Sequence, residues 1–244
     1  MLLDPLLPTL LLAAFATATL SATFGMAGGL VLMGVFTAVL PVPEAMVLHG
    51  LTQLVANGGR AFLLREHLQG RGIAAYAAGA AVAWALFQTA QVVPSARAVY
   101  LGIGAVPFVA LLLPASPLLD FGRTRGAALC GLLVAGTQML FGVAGPLLDV
   151  FFVRTGLGRH AVVSTKATTQ TLSHALKIAC FAPLLGEEAI RRLTVLGAVC
   201  VMAALAGTWA GGLLLERISE QVFRQWTRRL LFGVGVFYPW KGAC

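Results

Sequence analysis

Residues 24–29 read Phe-Gly-Met-Ala-Gly-Gly, and residues 141–146 read Phe-Gly-Val-Ala-Gly-Pro. Each motif lies inside an apolar run that is too long for one helix across a bilayer. The run 6–40, drawn as continuous helix, would extend about 52 Å against about 30 Å of hydrocarbon. The run 126–153 is over-long by the same measure. Both runs must break, and the glycines are where the chain can do so.

Working outward, a shift of 117 residues carries Phe24-Gly25-x-Ala27-Gly28-x-Leu30 onto Phe141-Gly142-x-Ala144-Gly145-x-Leu147. The same shift, without a gap, carries Thr52-Gln53 onto Thr169-Gln170. Two matches in one register read as an internal repeat. The remaining apolar runs are 44–64, opened by Pro41-Val42-Pro43, then 73–93, stopped by Pro94, and 96–113, stopped by Pro114. Three more follow at 161–185, 189–215 and, weaker, 222–237. Nothing alternates at period two over strand length, so every run reads as helix. The N-terminal Met1-Leu-Leu-Asp-Pro has no basic flank and no clean small-x-small cleavage site, so it reads as the retained start of the first element.

Composition fits that pattern. Apolar residues make up 59% of the 244 and charged residues only 11%, with a mean hydropathy of +0.88. Ordinary soluble domains carry about 25% charge, so this chain has too little to cover a water-facing surface. A soluble globular enzyme and a disordered chain are both excluded. Four scattered cysteines without paired spacing exclude a disulfide framework. The net charge of +8 comes from 17 Lys+Arg against 9 Asp+Glu. The basic residues cluster between apolar runs, which is how membrane topology is set, so the partner they imply is a lipid bilayer and not nucleic acid.

The fold expected is therefore all-α: a polytopic membrane protein with one transmembrane domain over 1–244. Repeat one covers about 6–120 and repeat two about 123–240. The loops holding Arg65 and Arg71, Arg123 and Arg125, Arg154 and Arg159, and Arg217 to Arg229 are basic and belong on the cytoplasmic side. The loops with Glu44, with Arg97, and with Glu187, Glu188, Arg191 and Arg192 are near neutral. This assignment favours repeats of inverted topology, each with a glycine-broken, re-entrant hairpin and about three spanning helices. A parallel four-plus-four arrangement would leave the Arg154/Arg159 loop outside.

Polar residues then mark a face. In 44–64, His49, Thr52, Gln53, Ala56, Asn57 and Arg60 share one helical side; 117 residues on, Lys166, Thr169, Gln170, Ser173, His174 and Lys177 do the same. Polar groups at membrane depth need protein partners or water, and a mid-span charge costs about 2.5–3.5 kcal/mol or more. Both faces carry cations and amides and no carboxylate. Each glycine break also opens a new half-helix whose free N–H groups attract anions. The candidate substrate-binding set is Gly25, Gly28, Gly29, Thr52, Gln53, Asn57, Gly142, Gly145, Lys166, Thr169, Gln170 and His174. Asp149, one turn past the second break, either couples an ion or proton or pairs with a lysine. Other readings stand beside these. The glycines suit close Gly-x-x-x-Gly packing, Arg60 and Lys166 can snorkel, Thr and Ser can bond back to their own helix, and glutamine can serve as interhelical glue.

Inverted repeats with paired broken helices point to a secondary transporter with its site at the repeat interface. At these residues the chain resembles the TauE/SafE sulfite exporter family of membrane permeases. The resemblance runs over nearly the whole chain and rests on the two glycine-rich breaks, each followed about 20 residues later by a polar helix. The first break is less glycine-dense than the family's usual run, and the C-terminal span is short. The resemblance implies export of sulfite, an organosulfonate or a related small oxyanion across the bacterial inner membrane. No metallohydrolase, serine-hydrolase or Cys/His ligand spacing occurs, so neither an enzyme nor a metal or other cofactor is expected. A passive anion channel and an intramembrane enzyme are the alternatives, and self-association into a homodimer is left open.

Overall fold

The computed structural model describes residues 5–24, 27–114, 116–215, 217, 229, 233, 236–238 and 240–242, and no strand occurs among them. The chain is all-helical. Its helices in order are α1 (Leu7–Phe24), α2 (Gly28–Val39), α3 (Val42–Leu63), α4 (Gly70–Ala90), α5 (Ala96–Leu112), α6 (Thr124–Phe141), α7 (Gly145–Phe152), α8 (Arg159–Phe181) and α9 (Glu187–Leu215). Local chemistry sets several starts. Pro43 and Pro146 sit in the first turns of α3 and α7, where a missing N–H costs nothing. Ser95 caps α5 by accepting the Ala98 N–H at 3.2 Å. The helix expected over 222–237 falls almost wholly outside the described residues, and so does Gly25.

Both over-long runs are interrupted at their glycine motifs. Between α1 and α2, Ala27 takes a left-handed conformation with φ 70°. At the end of α6, Gly142 takes φ 77° and its N–H closes the helix on Gln138 O at 2.8 Å. Glycine suits that position because only it enters the left-handed region without strain. After each break the chain doubles back. Gly28 lies against Thr17 O and Ser21 Oγ of α1, so closely that a Cβ there would collide with both. The Phe121 N–H donates to Phe151 O at 2.9 Å, which returns α7 to the residues just before α6. The returning helices are short: 12 and 8 residues, about 18 and 12 Å long.

The helix starts repeat. α1, α2, α3 and α4 begin at 7, 28, 42 and 70, and α6, α7, α8 and α9 each begin 117 residues later. The main packing pairs take one helix from each set: α1 with α9, α4 with α6, and α3 with α8. In the second pair, Gly79 abuts Ala128 O and Gly131 abuts Tyr76 O, so small residues let the backbones meet. The α3–α8 pair is antiparallel. Gly50 meets Ile178, Gly58 meets Thr171, and Ser164 Oγ donates to Leu64 O at 2.8 Å.

Charge is sorted by end. His67 stacks on His160 with centroids 5.2 Å apart, and Phe121 packs on Gly72. These contacts gather the loops that carry Arg65, Arg71, Arg123, Arg125, Arg154 and Arg159. At the opposite end, an ion pair between Glu44 and Arg192 ties the start of α3 to the start of α9. Phe36, Tyr76, Phe121, Phe151 and Phe181 fill the interior, while Leu12, Phe62, Leu63, Leu111, Leu112 and Trp209 are exposed on the outside. By length and composition, α4 and α9 are long and apolar enough to cross a membrane.

Candidate functional site

A row of hydrogen bonds joins the two breaks. Lys177 Nζ, on α8, donates to Gly142 O at 2.9 Å. The same nitrogen lies 2.8 Å from His49 Nδ1 on α3. His49 Nε2 in turn lies 3.0 Å from Gly29 O, in the first turn of α2. A carbonyl oxygen only accepts, so Nε2 carries the hydrogen and Nδ1 is the atom that faces the lysine. Lys177 is 0% exposed and His49 1%. Antiparallel packing places them: His49 sits near the start of α3 and Lys177 near the end of α8, so the two polar faces meet at one depth.

Around this row lie further polar groups. The His174 ring is 5.5 Å from that of His49, and its Nδ1 is 2.8 Å from Gln138 Nε2 of α6. One turn from Lys177, Ser173 Oγ is 2.6 Å from the Tyr76 hydroxyl of α4. Tyr76, Ser173 and His174 are all buried. No carboxylate is bonded to Lys177 among the described residues. Its partners are an imidazole and a carbonyl, both neutral acceptors. An ionised amine here is desolvated without a counter-charge, a condition that costs several kcal/mol on the order of other buried ions.

The twelve expected residues divide by what holds them. Gly25 is outside the described residues. Close packing accounts for Gly28 and backbone conformation for Gly142, where a Cβ would also strike the Met33 side chain. Gly29 and Gly145 differ from both. A Cβ on Gly29 would lie 3.8 Å from the Gln53 amide, and one on Gly145 would lie 3.8 Å from Gln170 Nε2. Each glutamine therefore faces the first turn of a half-helix, with ordinary room between. Neither α2 nor α7 has a side-chain N-cap. Both glutamines are half-buried, and neither side chain is hydrogen-bonded among the described residues.

Thr52 and Thr169 are buried, but their hydroxyls donate to Leu48 O and Lys166 O of their own helices. Asn57 likewise donates to Gln53 O at 2.9 Å. His174 stands in the central cluster. Lys166 forms an ion pair with Asp149, and both side chains are part-exposed, at 28% and 41%. For Asp149 the sequence had left such a pairing open beside ion or proton coupling. Sequence reasoning did not reach Gln138 or Tyr76. It set His49 and Lys177 on the polar faces but left both out of the substrate-binding set. No group of three or more His, Cys, Asp or Glu residues is placed to hold a metal among the described residues.

The chemistry on offer is electrostatic. Two uncapped half-helix starts, two glutamine amides and one buried lysine amine lie close together, with no carboxylate bonded to that amine among the described residues. Unpaired helix N-termini and amide donors are groups that attract negative charge. Comparison with family models, with curated proteins and with solved structures gave no match.

Proposed function

We propose that this protein is a secondary transporter of a small oxyanion, of the TauE/SafE type, built from two inverted repeats in a bacterial inner membrane. The observation that carries this reading is the bonded row from Gly29 through His49 and Lys177 to Gly142. It brings both helix breaks to one place and leaves a buried lysine there without a carboxylate among the described residues. Helix breaks whose ends coordinate solute at a repeat interface are the usual construction of such carriers.

Three features support the membrane arrangement. The exposed perimeter is apolar over several helices, which a soluble monomer rarely tolerates. The helix starts repeat at 117 residues while the equivalent helices α3 and α8 run antiparallel, the relation that an in-plane two-fold axis creates. Six arginines of three loops share one end, as cytoplasmic loops do. On this reading α3 and α8 cross the bilayer as well. Their polar faces lower their hydropathy but turn toward each other, away from lipid.

The site lies between α2, α3, α7 and α8. The first turns of α2 and α7 supply N–H groups at Gly29 and Gly145, and Gln53 and Gln170 supply amides from the other side. Pro146 has no N–H, so α7 offers fewer donors than α2. The substrate is a sulfite-like or sulfonate-like anion: compact, with oxygens on several sides for donors from both halves. The test is reconstitution in liposomes, with sulfite, sulfate and short sulfonates presented in turn. Saturable uptake with counterflow is expected. Gln53→Ala and Gln170→Ala should each lower it about tenfold, the loss of one or two hydrogen bonds to charge. Uptake that never saturates would identify a channel, and no uptake of any of these anions would end the carrier reading.

A further inference from the structure

We propose that Lys177 and His49 form a one-proton site, and that its proton travels with the anion. This rests on the carrier reading and adds to it the coupling ion. The argument is a count of hydrogens. His49 Nε2 carries a hydrogen, because it faces Gly29 O at 3.0 Å. Lys177 Nζ directs one at Gly142 O, 2.9 Å away. The 2.8 Å line between Nζ and Nδ1 then has room for a single hydrogen. It belongs to an ammonium donating to a neutral imidazole, or to an imidazolium donating to an amine, or to a neutral amine donating to a neutral imidazole. The first two states carry one positive charge and the third carries none. An ammonium facing an imidazolium would place two hydrogens on that line, and the geometry forbids it. The pair therefore alternates between charge zero and charge one, by the gain or loss of one proton.

The other titratable groups on the packed helices, among the described residues, are placed as follows; from α9, Glu187, Glu188 and Arg191 are exposed near its start and Cys200 is buried. From α3, Glu44 is paired with Arg192, and Arg60 is exposed in the last turn. From α4 come Tyr76, bonded to Ser173, and Arg71, exposed at the helix start. From α6 come Cys130, buried beside Tyr76, and Arg125, exposed. From α7 comes Asp149, bound to Lys166. Between α3 and α4, Arg65, Glu66 and His67 are exposed. On α8 itself, His174 is bonded to Gln138, Cys180 to Met139 Sδ, and Arg159 and His160 are exposed. The charged form of the pair thus has no counterion among the described residues, and the neutral form needs none. An oxyanion at Gly29 and Gly145 would supply that counterion. Proton and anion then each raise the affinity for the other by the same factor. Asp149, the acid that the sequence offered for coupling, is already neutralised by Lys166.

The experiment uses the full chain in liposomes loaded with a pH dye, with the membrane potential clamped by potassium and valinomycin. Methanesulfonate is the driving anion because it stays ionised throughout the neutral range and carries no proton of its own. An inward methanesulfonate gradient should acidify the lumen at about one proton per anion, the stoichiometry of a one-proton site. Lys177→Arg fixes the charge, because arginine does not release its proton. The proton-to-anion ratio should then fall to near zero, whatever flux is left. Lys177→Gln, which carries no titratable proton and is read the same way, covers the case in which the arginine variant does not fold. Saturable methanesulfonate uptake by the wild type with a flat luminal pH would overturn the coupling and leave the carrier standing. An unchanged ratio in both variants would overturn the assignment to this pair. No saturable uptake of methanesulfonate, sulfate or sulfite would overturn carrier and coupling together.

Discussion

The α3–α8 pair has two ends that the 117-residue shift makes equivalent, and they are built in opposite ways. At one end His49 and Lys177 are buried and bonded at 2.8 Å. The shift carries His49 onto Lys166 and Arg60 onto Lys177, so the matching end should join Lys166 to Arg60. It does not. Arg60 is exposed, and Lys166 turns out to Asp149. An arginine does not give up its proton and offers a lysine no acceptor, whereas an imidazole can be neutral and accept. The polar stripe is therefore bonded across α3 and α8 at the His49 end and not at the Arg60 end, which is also the end where the basic loops gather. Under the carrier reading, the His49 end would face outward and the Arg60 end the cytoplasm. Alternating access would consist of opening the first end while the second closes.

The largest effect expected from this contrast lies at the bonded end. Lys177→Met keeps the length of the side chain and removes the charge. It should lower saturable anion flux about 100-fold, the usual cost of deleting a preorganised donor to a charge, while the protein still elutes as a single species in detergent. Equal losses in Lys177→Met and Lys166→Met would break the comparison, because the two ends would then be doing the same work.

A second test separates neighbours in one turn. Gly28→Ala drives a methyl into Thr17 O and Ser21 Oγ, and should destabilise by about 1–3 kcal/mol, as overpacking does. Gly29→Ala meets nothing nearer than 3.8 Å and should leave the melting temperature almost unchanged. Its methyl would nevertheless crowd the space between α2 and Gln53 and weaken anion uptake. Thermal unfolding and flux measured on both variants give the two readouts. A Gly29→Ala protein that melts like Gly28→Ala would assign both glycines to packing.

Much of this was legible in the residues, for reasons that can be named. The breaks at 24–29 and 141–146 could be read because a length limit and a run of glycines coincide. The polar faces of α3 and α8 could be read because a 3.6-residue period survives in a single sequence. Partnership could not. That His49 meets Lys177, and not the Lys166 of its own repeat register, depends on two helices passing antiparallel at a given depth, and periodicity carries no such register. Gly28 and Gly29 look alike in the chain and differ only in what lies across from them. Gln138 was within reach: it is an amide inside the apolar run 126–153, a signal like the one that singled out Gln53. The threonines show the opposite case, where polar residues on the right face spend their hydroxyls on their own helix.

The smallest effect belongs to the Arg60 end. Lys166 and Asp149 are part-exposed, and an ion pair in such a place contributes at most about 1 kcal/mol. Lys166→Met should therefore change flux by less than about threefold and stability by less than about 1 kcal/mol. The effect should fade further in high salt, because the pair is screened there. Asp149 carries the sharper version of the test. If its carboxylate only anchors Lys166, Asp149→Asn in the Lys166→Met background should add nothing. If the carboxylate also takes up a proton during transport, the double variant would fall well below Lys166→Met alone and lose its dependence on luminal pH. The first outcome leaves proton binding to the bonded end, and the second would give each end of the stripe a proton of its own.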